Sequence, residues 1–178
     1  PFTTSTMQQE ASRKINFTSR RTMIAAQQLY EMGYISYMRT DSLRISEVAQ
    51  KEAREFIAAQ YGTEFIPAKP KQYRAKKSAQ DAHEAIRPTS SVSTPEKLKS
   101  KLKPDLYKLY RLIWLRFMAS QMSDAVLDMV SADISTGKYL VKASGSEVKF
   151  AGFMTLYVEG KDEAEEKSTK LPKLEEGQ

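Results

Sequence analysis

The chain has 178 residues, of which 40% are hydrophobic and 28% are charged, a composition typical of one good core with room for a second small one. It has no cysteine, one histidine and no apolar stretch long enough to span a bilayer, which excludes disulfide frameworks, the usual zinc fingers and a membrane-spanning helix. A net charge of +6 suits a polyanionic partner, and we expect a cytoplasmic protein because no signal peptide precedes the first helix.

Two helices are predicted before residue 34. A capping box of Ser5 and Gln8 would open the first, which should run to about Arg13. The second is predicted over residues 19–32, with Gly33 as its C-terminal stop. Its expected buried face follows helical spacing: Met23, Ala26 and Tyr30.

Residues 34–42 follow at once and read YISYMRTDS. In an extended segment successive side chains point to opposite sides, so Tyr37, Arg39 and Asp41 would share one face, while Tyr34 would be a core aromatic. A tyrosine hydroxyl has a pKa of about 10 in water, so its attack on a phosphodiester near neutral pH needs a nearby cation. Arginine suits this task because its donor fork matches two phosphate oxygens. Asp41 would either hold Arg39 in place or end the segment.

A third helix is predicted from Ser46 to about Gln60, followed by Gly62. Its expected buried residues are Ala49, Ala53, Phe56 and Ile57. Residues 63–78 are predicted to form a basic loop. This loop and a second lysine run either follow a phosphate backbone or form solvated surfaces. The basic residues of the two runs are Lys69, Lys71, Arg74, Lys76 and Lys77, and then Lys97, Lys99, Lys101 and Lys103.

His83 is the only histidine of the chain and lies in residues 80–89, which read QDAHEAIRPT. On residue type alone it is a ligand, an acid or a structural group at a surface or helix end. Arg87 would share a helix face with His83 if the segment were helical, and Pro88 would end that helix. Arg87 would therefore have one of two roles. It would form a salt bridge or anchor the loop, or it would contact a phosphate.

The last predicted helices begin at Pro95, preceded by Thr94, and at Pro104. The longer one carries a stripe that helical spacing assigns to the core: Leu106, Leu109, Tyr110, Ile113 and Phe117, with Trp114. From residue 125 the pattern changes to short β-rich runs, predicted as a meander. Its three strands would be residues 126–134, 139–142 and 147–150, with turns at 136–137 and 144–145.

Three segments, in this order along the chain, together resemble the type IA DNA topoisomerases. Residues 34–42 resemble the YxRTDS signature that carries the DNA-cutting tyrosine, and Met38 resembles the bacterial DNA topoisomerase I branch. Residues 1–9, PFTTSTMQQ, resemble the family segment PFxTSTLQQ, and residues 80–89 resemble its AHEAIRPT segment.

The resemblance implies an ATP-independent enzyme that relaxes negative supercoils. Tyr37 would cut one DNA strand and form a 5′-phosphotyrosine, and Arg39 would neutralise the phosphate and contact DNA. His83 would support cleavage and contact DNA, Asp41 would orient neighbouring groups, and Arg87 would contact DNA. The enzyme would then pass the other strand through the break and reseal it.

The same resemblance implies an α+β organisation within a toroidal enzyme. Residues 1–122 would form a mainly helical catalytic-tyrosine domain, residues 123–160 a short antiparallel β segment of the arch domain, and residues 161–178 a charged linker or strand leading to the next domain. The chain begins at Pro1 and is expected to be a fragment that is inactive alone. Magnesium would be bound by a TOPRIM domain absent from this chain, with no cofactor in the chain itself. The expected partners are DNA, at a single-stranded region of negatively supercoiled duplex, and the remaining domains of the same polypeptide.

Two alternatives belong to other classes. A tyrosine recombinase forms a 3′-phosphotyrosine and needs a His-x-x-Arg pair followed by a C-terminal tyrosine. Here three residues separate His83 from Arg87, and Tyr37 precedes both. The other alternative is a non-catalytic DNA-binding module.

Overall fold

The computed structural model describes residues 1–73 and 83–158, in which five α-helices precede one pair of antiparallel strands. This arrangement confirms the predicted α+β class. The helices are α1 (Thr4–Ile15), α2 (Ser19–Glu31), α3 (Glu47–Tyr61), α4 (Pro95–Leu98) and α5 (Pro104–Gln121), and the strands are β1 (Val126–Thr136) and β2 (Tyr139–Phe150). Short 3₁₀ turns occupy Thr63–Phe65 and Gly152–Thr155. The predicted linker 161–178, basic residues 74–77 and the start of the segment 80–89 lie outside the described residues.

Helix α5 forms the centre of the core and contacts α1, α2, α3 and α4. Pro104 is its first residue, where a fixed φ favours the helix and the missing N–H costs nothing. Every residue of the predicted stripe is buried, as is Trp114, so this prediction is confirmed. The Tyr110 hydroxyl donates to the carbonyl oxygen of Ser93 at 2.5 Å. Burial of this ring raises the pKa of Tyr110 well above its ordinary value.

Helix α1 begins with a different cap from the predicted one. The Thr6 amide donates to Thr3 Oγ1 at 3.3 Å, and the Thr3 amide donates to Thr6 Oγ1 at 2.9 Å. These reciprocal bonds form a capping box between the N-cap residue Thr3, which is in extended conformation, and Thr6 in the first turn of the helix. The predicted pair of Ser5 and Gln8 is therefore wrong, because the chain becomes helical at Thr4, before Ser5.

Helix α2 ends at Glu31, and Gly33 follows with a φ of 74°, as its predicted role as a stop requires. The predicted burial of Tyr30 is wrong, because 42% of this residue is exposed. The face that packs inward instead carries small residues and one leucine, which allow close approach to the neighbouring helices: Thr22, Ala25, Ala26 and Leu29.

Helix α3 follows its prediction closely, from an N-cap at Ser46 to Gly62, whose φ is 109°. Three of the four residues expected inside are buried: Ala49, Ala53 and Ile57. Phe56 is only partly buried and packs edge-on against Trp114, with ring centroids 5.7 Å apart.

The β segment is a hairpin rather than the predicted three-stranded meander. Gly145 lies within β2, where it pairs with Val130, and it lacks the positive φ that Gly137 adopts in the turn at 137–138. The predicted turn at 144–145 is wrong because the ladder continues through it without interruption. Both faces carry side chains about half exposed, such as Val130 at 50% on one face and Leu140 at 59% on the other. No helix in the described part of the chain has the length and apolarity needed to cross a membrane.

Replacing Leu109 with alanine tests the central role of α5. Leu109 is fully buried, so Leu109→Ala should lower the free energy of unfolding by about 2–5 kcal/mol, through lost burial and the cavity left behind. Urea denaturation followed by circular dichroism measures the change. The matched control is Val48→Ala on α3, where the side chain is 79% exposed and the cost should stay below about 0.5 kcal/mol. Equal costs for the two variants would contradict a core centred on α5.

Candidate active site

Three segments singled out from the sequence lie side by side. Single antiparallel bridges join residues 83–89 both to the start of the chain and to residues 34–44. The bridged pairs are Phe2 with Ile86 and Ile35 with Pro88. Phe2, Ile35 and Ile86 are among the fully buried hydrophobic residues of the core. Apolar packing therefore holds the junction against the core.

Side chains alternate along residues 37–42, although this segment belongs to no strand. The exposed residues are Tyr37, Arg39 and Asp41, and the buried ones are Met38, Thr40 and Ser42. This is the alternation expected for extended backbone. The buried set holds the segment against the core and leaves the exposed set toward solvent.

Tyr37 has two aromatic neighbours. Its ring lies edge-on to Tyr30, with centroids 5.3 Å apart, and edge-on to His83, with centroids 6.5 Å apart. Edge-to-face packing of this kind favours a defined ring orientation. Tyr37 is nevertheless 43% exposed, so a ligand can reach it without unfolding the chain.

A cleft of about 590 Å³ lies beside His83, and Tyr37 is not among the residues that line it. Its lining residues are Thr3, Thr4, Ser5, Arg39, Thr40, Asp41 and His83. The first turn of α1 faces the cleft and contains no acidic residue. A helix N-terminus and a guanidinium both favour an anion such as a phosphate, whereas the Asp41 carboxylate in the same lining opposes one.

Arg39 and Asp41 both line the cleft, but they form no ion pair with each other. No contact between Asp41 and Arg39 therefore supports the predicted role of Asp41 in orienting neighbouring groups. The charge of Arg39 is left available to a ligand in the cleft.

Arg87 lies outside this cleft and serves as a loop anchor. Its Nη2 lies 2.7 Å from Glu84 Oε2, and its Nη1 donates to the carbonyl oxygen of Pro88 at 3.0 Å. Residues 83–89 are not helical, so the conditional helix face shared by His83 and Arg87 does not form. The ion pair and the 17% exposure of the Arg87 side chain leave little of its guanidinium for a phosphate.

Ser36 is a site residue that the sequence reasoning missed. Its hydroxyl donates to the Ala85 carbonyl at 2.8 Å and accepts from the Arg87 amide at 3.0 Å, while the Ser36 amide donates to the Arg87 carbonyl at 2.9 Å. The residue beside Tyr37 thus holds the segment that carries His83. Its place inside the motif is the one sequence signal that pointed to it. Tyr30 was also missed, because its contact with Tyr37 depends on the rotation of α2.

The described residues contain no group of three or more His, Cys, Asp or Glu side chains placed to hold a metal ion. Asp41 is the one carboxylate that lines the cleft, among the residues that the structure describes. These residues do not form a magnesium site by themselves.

Comparison with known proteins gives the class of the chain. The family model described as DNA topoisomerase matches residues 1–178, and the chain belongs to this family. A similar solved structure is full-length topoisomerase I from Thermotoga maritima, with 38% sequence identity and a TM-score of 0.83. The match covers 100% of this chain and 29% of that chain. The predicted membership of the bacterial topoisomerase I branch is thereby confirmed.

Replacing Ser36 with alanine tests the junction between the motif segments. Ser36→Ala removes the partner of the Arg87 amide and of the Ala85 carbonyl, so the chain should lose about 1–3 kcal/mol of stability. The imidazole NMR signals of His83, the single histidine, should shift as its segment loosens. Ser100→Ala, at an exposed turn, is the control and should change neither quantity. Unchanged His83 signals in Ser36→Ala would show that the hydroxyl does not hold this segment.

Proposed function

We propose that the chain carries the nucleophile of a type IA DNA topoisomerase, and that this nucleophile is Tyr37. The observation that carries the proposal is the position of Tyr37, which is exposed and packs against His83, a residue that lines a cleft together with Arg39. Membership of the topoisomerase family makes DNA the substrate, and the cleft suits its phosphate.

The proposed reaction is a transesterification. The Tyr37 hydroxyl loses its proton to solvent as its oxygen attacks a phosphorus atom of one strand. The bond from phosphorus to the 3′ oxygen breaks, and that oxygen leaves as a 3′ hydroxyl after gaining a proton. The product is a 5′-phosphotyrosine. Attack by the 3′ hydroxyl on this phosphotyrosine reverses the step. One phosphodiester replaces another, so cleavage and rejoining are nearly balanced in energy and need no ATP.

The residues around Tyr37 would each support a different part of the reaction. Arg39 and the N-terminus of α1 would offset charge on the phosphate oxygens as the phosphorus becomes five-coordinate. His83 would contact DNA and limit movement of the Tyr37 ring, and Asp41 would orient groups at the cleft. Arg87 would act through the loop that it anchors, with any DNA contact made by its exposed edge.

Magnesium and the proton donor for the leaving oxygen are proposed to come from a TOPRIM domain outside this chain. Two observations favour this: the described residues lack a metal cluster, and the Thermotoga maritima relative is more than three times as long. No step assigned to Tyr37, Arg39 or His83 depends on where that ion binds. We place the reaction at single-stranded regions of negatively supercoiled DNA in the cytoplasm.

The hairpin is proposed to belong to the arch domain. A two-stranded ribbon with both faces exposed is marginal by itself, so β1 and β2 need further strands or a covering layer. Residues 123–160 would supply part of that domain, and residues 1–122 would form the helical domain that carries Tyr37. The segment 161–178 would lead to the next domain.

Replacing Tyr37 with phenylalanine in the full-length protein tests the nucleophile. Tyr37→Phe removes the attacking oxygen and keeps the ring, so the covalent DNA adduct should disappear while DNA affinity changes by less than about threefold. End-labelled oligonucleotides measure the adduct, and in the wild type they should place the protein on the 5′ end of the downstream fragment, with a free 3′ hydroxyl on the upstream fragment. Tyr139→Phe, on the exposed hairpin, is the matched control and should keep the adduct. An adduct in Tyr37→Phe would point to Tyr30, and a 3′ linkage would indicate recombinase chemistry.

The isolated 178-residue chain tests the division of the active site between domains. It should neither relax supercoiled plasmid nor trap DNA covalently, because the proposed magnesium site lies elsewhere. Adding the TOPRIM domain together with magnesium should restore trapping through Tyr37. Plasmid relaxation by the chain alone would refute the proposed division of the active site between two domains. If the chain bound DNA weakly but trapped none, both alone and with the TOPRIM domain and magnesium, a non-catalytic DNA-binding module would be favoured.

A further inference from the structure

Thr4 is the first residue of α1, and its hydroxyl reaches across to the segment that carries Tyr37 and Arg39. Its Oγ1 lies 2.7 Å from the carbonyl oxygen of Met38 and accepts the amide of Thr40 at 2.9 Å. A threonine hydroxyl has one hydrogen and two lone pairs, so it can serve both partners at once. The Thr40 carbonyl, 3.1 Å from Oγ1, already accepts the Thr4 amide at 2.9 Å.

These bonds clamp both peptide groups that flank Arg39. The Met38 carbonyl belongs to the peptide before Arg39, and the Thr40 amide belongs to the peptide after it. Holding both peptides restricts the φ and ψ angles of Arg39, and hence the direction in which its side chain leaves the backbone. One hydroxyl therefore controls how the guanidinium enters the cleft.

No regular secondary structure takes over this task, because residues 36–46 form no helix or strand. Buried backbone polar groups need partners, and Thr40 is only 7% exposed. Thr4 itself sits on a rigid support: the capping box of Thr3 fixes the start of α1, and Phe2 beside it is fully buried.

We propose that Thr4 is a positioning residue for cleavage, which acts through the backbone on either side of Arg39. This inference rests on the proposed function, in which Arg39 neutralises the attacked phosphate. Thr4 lines the same cleft as Arg39 and His83, so a shift in its helix would move the cleft wall and the guanidinium together. Small errors in the position of a charged group lower reaction rates far more than they lower binding.

The activity test compares Thr4→Val with Thr4→Ser in the full-length protein. Valine keeps the shape of threonine and removes the hydroxyl, so single-turnover cleavage of an oligonucleotide should slow by at least about tenfold while its Kd changes by less than about threefold. Serine keeps the hydroxyl and should stay within about threefold of the wild-type rate. Thr22→Val is the control for the same substitution in another helix, because Thr22 is buried in α2, does not line the cleft, and its hydroxyl donates only to the Thr18 carbonyl. It should cleave at the wild-type rate.

A second measurement uses the 178-residue chain and does not depend on activity. The Thr40 amide should exchange slowly with deuterium in the wild type and in Thr4→Ser, and at least about tenfold faster in Thr4→Val. Fast exchange of this amide in the wild type would overturn the inference even if Thr4→Val did not fold. Equal cleavage rates in Thr4→Val and the wild type, or equally slow cleavage in Thr4→Val and Thr4→Ser, would also overturn it. Absence of any covalent adduct in the wild type would instead refute the proposed function.

Discussion

The site depends on a hydrogen-bonded junction between three stretches of chain that are far apart in sequence. Phe2 pairs with Ile86, Ile35 pairs with Pro88, and the hydroxyls of Thr4 and Ser36 connect the remaining backbone groups. None of these stretches is a regular strand over its length, so each one obtains its hydrogen-bond partners from the other two. Buried apolar residues beneath the junction exclude water, which would otherwise compete for the same groups.

This construction explains how Tyr37, Arg39 and Asp41 are exposed on a rigid base. Along residues 37–42 every second side chain is buried, and the buried residues hold the exposed ones in place. Tyr37 is further restrained by Tyr30, at the end of α2, and by His83 from the third segment. A phenol, a guanidinium and an imidazole therefore share one surface, although each is carried by backbone that has little regular structure of its own. Preorganisation of this kind is what electrostatic stabilisation of a developing charge requires.

The parts of the fold that the sequence predicted are those governed by neighbouring residues. Pro104 and the stripe that follows it define α5, and Ser46 and Gly62 bound α3, because caps and helical periodicity act within a few turns. The predictions that were wrong needed knowledge of packing. Tyr30 was expected inside on the basis of spacing, but the rotation of α2 is set by the small residues that meet its neighbours. The Ser-Gly pair at 144–145 reads as a turn locally, yet pairing with β1 keeps it within β2.

The sequence by itself determined the chemical groups of the site and their alternation, because a tyrosine, an arginine and an aspartate at every second position share one side of any extended backbone. It also determined the family, since the motif residues occur together and in order. Only the tertiary structure decided which distant groups meet. Thr4 reaches Met38 across 34 positions, and Ser36 reaches Arg87 across 51. Such contacts depend on how the helices pack around α5, and local sequence preferences do not encode that packing.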